Sequence, residues 1–529
     1  MHAWCDSHIQ IYSRIAARRL FGDISLQPLR TALVGSIIAL ILYFSNRLFL
    51  QKTKSLKALD LPVLASPGDQ DIVQTLHEGH ARYPNSPFAL AVPGQQLVVL
   101  PVSEIDTVKA LPETQLSIKK HHYNQFLGEY SHMGTKADEF DDAMRYLLVR
   151  NTPAVLASFV AEIDHAISSE FKIKPGTEWT TVTPRAIMPR VATILSGRAF
   201  VGLPLSRDEE WITANVNYTQ DVSRAWVVLR FYPHFIRPLI APFLKEVKAL
   251  ERSKALIGHK IANLLASQEA SPADAESQNG PGGDMITWFK SRYANGTATS
   301  AALTRDQLLA TFASIYNLSN ALTYILFDLA AYPNAVTTLR EELDAVLGPN
   351  GIAELNKTTL PKLTKLDSFL RESQRLSPTS LVNIPRIITD PNGLRLSTGQ
   401  IIPPGYLAMI RAQPINQNAE LYPDPTRFDP LRFARLREKP GHESRWQHTS
   451  TGSDNINFGH GLWACPGRFF ASAQIKVVVA FLVREFEIRF PVGGERPVPL
   501  YKGLAIFPDA EARVEMRYRG GGRYGEEGV

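Results

Sequence analysis

Phe458-Gly-His-Gly461-Leu-Trp-Ala-Cys465-Pro-Gly467-Arg468 is the stretch on which the fold turns. Gly459 and Gly461 permit a tight loop whose backbone can approach a flat ligand closely. Pro466 and Gly467 follow, and Arg468-Phe-Phe-Ala-Ser-Ala-Gln-Ile opens a long helical pattern. Cys465 is thereby placed at a helix N-terminus, where free N–H groups and the helix dipole favour thiolate over thiol. Thiolate is the form that binds iron, and it donates the electron density that promotes O–O cleavage. The chain has two cysteines, Cys5 and Cys465, at opposite ends, so an internal disulfide framework is excluded. A single cysteine in the folded body reads either as a buried structural thiol or as a reactive one, and the flanking glycines favour the second.

Working outward, Phe369-Leu-Arg-Glu372-Ser-Gln-Arg375 holds a Glu and an Arg at i,i+3, on one helix face. Alone it would read as a surface ion pair. Downstream stands Phe428-Asp-Pro430-Leu-Arg432-Phe433. Upstream, a helical pattern runs from the capping box Thr304-x-x-Gln307 to Tyr332, just before Pro333. That is about 28 residues, or ~42 Å at ~1.5 Å per residue. It is apolar on most sides, which predicts a central buried helix. Strand-like segments such as Gln96 to Leu100 and Gly399 to Met409 are short and few, so the fold is expected to be mainly α with minor β.

In this order and spacing the motifs resemble those of the cytochrome P-450 superfamily. The cysteine stretch resembles its heme-binding signature F-G-x-G-x-(R/H)-x-C-x-G at Phe458, Gly459, Gly461, Cys465 and Gly467. The resemblance covers roughly residues 61–519. It implies the P-450 fold, heme b as cofactor and Cys465 as the axial iron ligand. It also implies a Glu372–Arg375–Arg432 triad that locks the proximal core and retains heme without doing chemistry. The strings GHGLWACPGRFFA and LYKGLAIFP look like members from fungal secondary metabolism, distantly similar to the ent-kaurene oxidase group.

The sequence also departs from the family. Trp463 stands where an Arg or His usually faces a heme propionate; an indole N–H can donate one hydrogen bond but brings no charge. Arg386, in Asn383-Ile-Pro-Arg386, occupies a place from which the family often supplies that base. Arg150 is a weaker candidate, since the usual W-x-x-x-R is not recognisable near Met144 to Arg150. In the helix over the heme, the family's (A/G)-G-x-(D/E)-T-(T/S) is matched by Ala313-Ser314-Ile315-Tyr316-Asn317-Leu318. Ser314 keeps a small residue, while Tyr316 replaces the acid and Asn317 the threonine of the proton relay. An amide holds water but is a poor proton donor; the bland alternative makes Tyr316 and Asn317 packing residues.

The remaining sequence frames this core. The chain is 44% hydrophobic and 20% charged, ordinary for a globular protein with a sizeable core. Its net charge of +6 contains no basic block dense enough to argue for nucleic acid. Residues 1–30 form an N-terminal segment, and 31–50 (TALVGSIIALILYFSNRLFL) are expected to be a single transmembrane anchor. Arginines and lysines flank it on both sides, so charge does not set its orientation. Residues 51–68 carry a Pro-containing hinge, 69–519 the catalytic domain, and 520–529 (GGRYGEEGV preceded by Gly520) a disordered tail. Gln268 to Gly283 reads as an exposed loop. Trp226 to Leu244, apolar and aromatic, is placed as the substrate roof and a membrane-dipping surface, or as a plain buried helix pair.

The resemblance implies an O2- and NADPH-dependent monooxygenase for a lipophilic secondary metabolite, a terpenoid being one candidate. NADPH–cytochrome P-450 reductase is the implied electron donor, with cytochrome b5 as an optional second. The implied location is the endoplasmic reticulum membrane, with the catalytic domain in the cytosol. Two other readings stay open: a redox-partner-free heme-thiolate isomerase or dehydratase, and a non-catalytic heme or lipid-binding protein. Turnover without NADPH would mark the first, ligand-induced spectral shifts without product the second.

Overall fold

The computed structural model describes residues 59–519, apart from 66–70, 93–94, 175, 177, 271–283 and 295–296. The expected anchor at 31–50, the segment before it and the tail at 520–529 lie outside the described residues. Among the described residues, no helix is long and apolar enough to cross a membrane.

The strands are β1 (Val63–Ala65), β2 (Phe88–Val92), β3 (Gln95–Leu100), β4 (Leu116–Ser117), β5 (Thr180–Val182), β6 (Val382–Ile388), β7 (Leu394–Arg395), β8 (Ile401–Ile402), β9 (Leu407–Arg411), β10 (Phe486–Arg489), β11 (Leu500–Lys502), β12 (Ala505–Phe507) and β13 (Val514–Tyr518). They form a six-stranded sheet in the order β1-β2-β3-β9-β6-β4, a three-stranded sheet β10-β13-β5, and the pairs β11-β12 and β7-β8. The strand expected over Gly399 to Met409 is split between β8 and β9. Pro403 and Pro404 cannot donate to a ladder, and Gly405 takes φ +89° between them and β9.

Helices make up most of the rest. The principal ones are α1 (Asp71–Arg82), α2 (Ile118–Gln125), α3 (Thr152–Phe171), α4 (Pro184–Phe200), α5 (Glu209–Leu229), α6 (Lys245–Ala270), α7 (Ser300–Ala331), α8 (Pro333–Leu347), α9 (Thr364–Leu376), α10 (Arg432–Arg437) and α11 (Arg468–Glu485). The central helix α7 packs against α4, α5, α6, α9 and α11. It starts at Ser300 rather than Thr304, because the Thr299 hydroxyl accepts from Ala302 N–H at 3.1 Å and caps it one turn earlier. At 32 residues it is close to the expected length and lies in the main apolar core. Helix α11 is buried for most of its length through Val477, Val478, Val479 and Ala480.

Candidate active site

The loop before α11 is set by backbone conformation. Gly459 has φ +71° and Gly461 φ +66°. A Cβ on Gly459 would lie 2.6 Å from the Trp463 carbonyl oxygen, and one on Gly461 would lie 2.5 Å from that of Lys109. Neither position accepts another residue without moving backbone. The turn is closed by Cys465 N–H donating to the Phe458 carbonyl at 2.7 Å. It is tied outward by Leu462 N–H donating to Lys109 at 3.0 Å. The Phe458 ring meets the edge of buried His448, with centroids 5.4 Å apart. Gly467 is the residue before α11 and carries no capping side chain. A Cβ there would have only Cys465 Sγ near it, at 3.9 Å, so this glycine leaves space beside the sulfur.

Cys465 is half-buried. Burial pushes its thiol up, while the Gly467 and Arg468 N–H groups and the Arg468 charge pull the other way and do not prevail. The helix end favours thiolate as expected, but burial opposes it and is the larger effect. Desolvation of an anion outweighs the terminal dipole, so ionisation falls to metal ligation, which deprotonates a coordinated thiol outright.

On α7, Ala313 and Asn317 are exposed one turn apart in the middle of an otherwise buried helix, with Ala321 half-buried one turn further on. An accessible space therefore runs along this face. The Asn317 amide has no hydrogen-bond partner among the described residues. Ser314 turns back, its hydroxyl donating to the Thr311 carbonyl at 3.3 Å. Tyr316 packs parallel to Phe312 at 6.2 Å and edge-on to Phe507 at 6.0 Å. Phe312 in turn meets Phe126 at 4.8 Å. Aromatic rings from α7, from the segment after α2 and from the β11-β12 hairpin thus form a chain along the helix face adjoining Asn317. Sequence reasoning missed Phe126 and Phe507, since aromatic residues in short irregular segments carry no periodic signal.

Trp463 differs from its expected role. Its indole N–H donates to the Leu111 carbonyl at 2.8 Å, so the one donor it has is used. What it offers instead is its face: the Arg386 guanidinium carbon lies 5.2 Å from the ring centroid. Arg386 is buried, donates through Nη1 to the Pro385 carbonyl at 2.7 Å, and leaves Nε unpartnered among the described residues. Burial lowers its pKa to about 10, so it is still a cation at neutral pH. His121 and His122 of α2 feel its charge, and burial holds them at about 3 and about 4, hence neutral. Arg150 ends a short helix after the π-helical stretch Ala143–Leu147, and its side chain is exposed with no positioning partner among the described residues.

Behind the cysteine loop the structure brings together Glu372, Arg375 and Arg432. Arg375 donates to both Glu372 oxygens at 2.8 Å, and Arg432 Nε donates to Oε1 at 3.1 Å. Arg375 also donates to the carbonyls of Asn416 at 2.6 Å and Pro425 at 2.5 Å, and Arg432 to Pro423 at 2.5 Å and Arg427 at 3.0 Å. The triad therefore gathers the irregular segment leading to the cysteine loop. A second network, missed in the sequence, joins Asp367 to Lys476 of α11 at 2.5 Å and to the His448 N–H at 2.8 Å.

These residues fit a heme. A sulfur sits on a loop cleared by glycines, an open stripe crosses the central helix, and a buried arginine keeps an unpaired N–H for an anionic group. The comparisons agree. The cytochrome P-450 family model matches residues 155–516. The cytochrome P-450 monooxygenase gliF of Aspergillus fumigatus is 73% identical over 497 residues, covering 93% of this chain and 98% of that protein. The cytochrome P-450 monooxygenase ataF of Aspergillus terreus is 52% identical, covering 92% and 97%. The retinoic acid-bound cyanobacterial CYP120A1 shares the fold, with TM-score 0.64 at 17% identity over 87% of this chain and 99% of that one. The chain belongs to the cytochrome P-450 family and is a heme-dependent monooxygenase.

Proposed function

We propose that this monooxygenase oxidises a lipophilic secondary metabolite at the aromatic-lined face of α7, with Cys465 as the iron ligand. The observation that carries this reading is the Phe126–Phe312–Tyr316–Phe507 chain of rings beside Asn317, a lining suited to an apolar substrate. When bound, the heme supplies reductive cleavage of dioxygen. The protein's part is to ligate through Cys465, to pair an anionic edge with Arg386, to pack substrate against the rings and to hold water at the Asn317 amide. Electrons come from NADPH–cytochrome P-450 reductase, cytochrome b5 being an optional second donor. The test is metabolite profiling of a host with and without the protein, followed by reconstitution with reductase and NADPH. Product formed without reductase and NADPH would overturn this reading in favour of an isomerase or dehydratase.

Asn317 gives a direct check. Its amide can orient a water by donating and accepting but does not ionise. Losing one hydrogen bond of about 1 kcal/mol corresponds to roughly fivefold. Asn317→Ala is therefore expected to lower product per NADPH by about that factor and raise peroxide, while Asn317→Thr stays active. Unchanged coupling in the alanine variant would remove Asn317 from the mechanism.

The same reading places the protein on the endoplasmic reticulum membrane, anchored through residues 31–50. Supporting it is a set of exposed apolar side chains in one segment: Val227 (43% exposed), Phe231 (51%), Phe235 (71%), Leu239 (72%) and Phe243 (79%). Arg230 stacks over Trp226 and Phe231 at its edge, at 4.7 and 5.1 Å. Deleting residues 1–50 is expected to move the protein out of the carbonate-resistant membrane fraction while leaving salt- and lipid-dependent attachment. Adding Phe235→Ser and Leu239→Ser removes apolar burial of about 1.5–3 kcal/mol each, and should weaken vesicle binding at least about tenfold. Undiminished vesicle binding by that variant would exclude the set as a membrane contact.

A further inference from the structure

Four polar residues of α7, Tyr316, Asn320, Tyr324 and Asp328, stand four positions apart and so share one helix face, next to the open stripe of Ala313 and Asn317. The C-terminal chain covers this face. Phe507 meets Tyr316, and the Arg496 guanidinium lies 5.9 Å from the Tyr324 ring centroid. Asn320 and Asp328 are fully buried, and Tyr324 is 1% exposed. Asp328 is well paired, accepting from Arg496 at 2.6 Å and from the Ser373 hydroxyl at 2.5 Å. Arg496 also donates to the Ser377 hydroxyl at 2.8 Å.

Between the two ends the pairing fails. Both amide atoms of Asn320 and the Tyr324 hydroxyl have no hydrogen-bond partner among the described residues. Asn320 is near enough to favour ionised Tyr316, yet makes no bond of proper geometry. Buried polar groups in native proteins are paired with protein or ordered water, so two adjacent unpaired side chains on one face call for water. The titratable and charged groups around them are the Arg185 guanidinium of α4, which acts on Tyr316 and Tyr324, the Tyr501 phenol of the hairpin beside Tyr324, and Glu372 beside Asp328. The face reaches solvent at Arg496, whose side chain is 25% exposed, and at Tyr501, 37% exposed.

We propose that Tyr316, Asn320 and Tyr324, with water held between them, form an internal proton path along α7 from the Arg496–Asp328 end to the water at Asn317. The proposal rests on the monooxygenase reaction, which consumes two protons per dioxygen cleaved and takes its electrons from the redox partner. In each step a phenol oxygen accepts a proton from one water as its own proton passes to the next, so every hydroxyl is neutral before and after. Burial pushes the Tyr316 phenol up to about 12, which keeps it neutral throughout. Asn320 transfers nothing and only orients water. The path supplies what Asn317 lacks: a transferable proton one residue from its amide.

The opposing reading is a dry, imperfectly packed face. It is tested with heme-loaded protein carrying Tyr324→Phe or Asn320→Leu, with Tyr130→Phe as a control for loss of an unpaired buried hydroxyl elsewhere. On the proposed path, both variants keep wild-type heme content and lose product per NADPH by about fivefold, well short of the hundredfold of a lost general acid; the control does not change. A crystal structure of the wild-type holoprotein should show ordered water within hydrogen-bond reach of the Asn320 amide and Tyr324 Oη. Replacing a water-paired Asn320 by Leu should not raise the thermal midpoint. A dry face, unchanged coupling, or a raised midpoint in Asn320→Leu would overturn the proposal. If either variant fails to fold, the wild-type waters decide alone. If the wild type gives no product with reductase and NADPH, the proposed function fails, while the waters still test the path.

Discussion

Cys465→Ala should yield a folded protein whose reduced carbon monoxide complex has lost the red-shifted Soret band of a thiolate-ligated heme. The backbone around the residue is held by groups other than its side chain: the Phe458 carbonyl, the positive φ of Gly459 and Gly461, and Leu462 bonded to Lys109. Cys465 is a small, half-buried side chain, and its sulfur makes none of these bonds. The band requires a thiolate ligand, and Cys465 is the cysteine that the described residues place on the glycine-cleared loop. Turnover should fall with the band, since the thiolate supplies the electron density for O–O cleavage. A wild-type band in Cys465→Ala would remove Cys465 as the ligand.

The cysteine loop was legible because its determinants are local. Glycines at 459 and 461 and a helix start at Arg468 are enough to define the turn, and all fall within eleven residues. The Glu372–Arg375 pair was legible for the same reason, helical spacing. What the sequence could not show depends on contacts between distant segments. The Trp463 indole is satisfied by Leu111, 352 positions away, which leaves its ring rather than its N–H for Arg386. That burial outweighs the helix end and pushes the metal-free Cys465 thiol up is a difference of opposed effects that no motif encodes. Local rules also competed with one another. Thr299 capped α7 ahead of the more recognisable Thr304, and two prolines cut an apolar run that read as one strand. The i,i+4 spacing of Tyr316, Asn320 and Tyr324 is visible in the sequence, but that two of them lack partners is visible only once the C-terminal chain is laid over them.

Glu372→Ala should produce heme-poor protein of much reduced stability, not a folded enzyme with altered product. Glu372 is fully buried, and it is the carboxylate that both Arg375 and Arg432 reach. It also accepts the Asp429 backbone N–H at 2.9 Å. Removing it leaves two guanidinium groups, 3% and 5% exposed, without a counter-charge. Breaking such a network from one side costs about 3–5 kcal/mol, a large part of the ~5–15 kcal/mol that holds a typical domain together. The arginines could lower that penalty only by moving toward water. Doing so would release the Asn416, Pro423, Pro425 and Arg427 carbonyls, which define the segment leading into the cysteine loop. Instability and heme loss are thus coupled through the same bonds. Glu372→Gln separates charge from shape, since it keeps an acceptor at the centre but removes the negative charge; it should fall between wild type and alanine. Heme occupancy after purification and the thermal midpoint of the holoprotein are the two readouts. Full occupancy together with a wild-type midpoint in Glu372→Ala would show that the triad does not hold the proximal core.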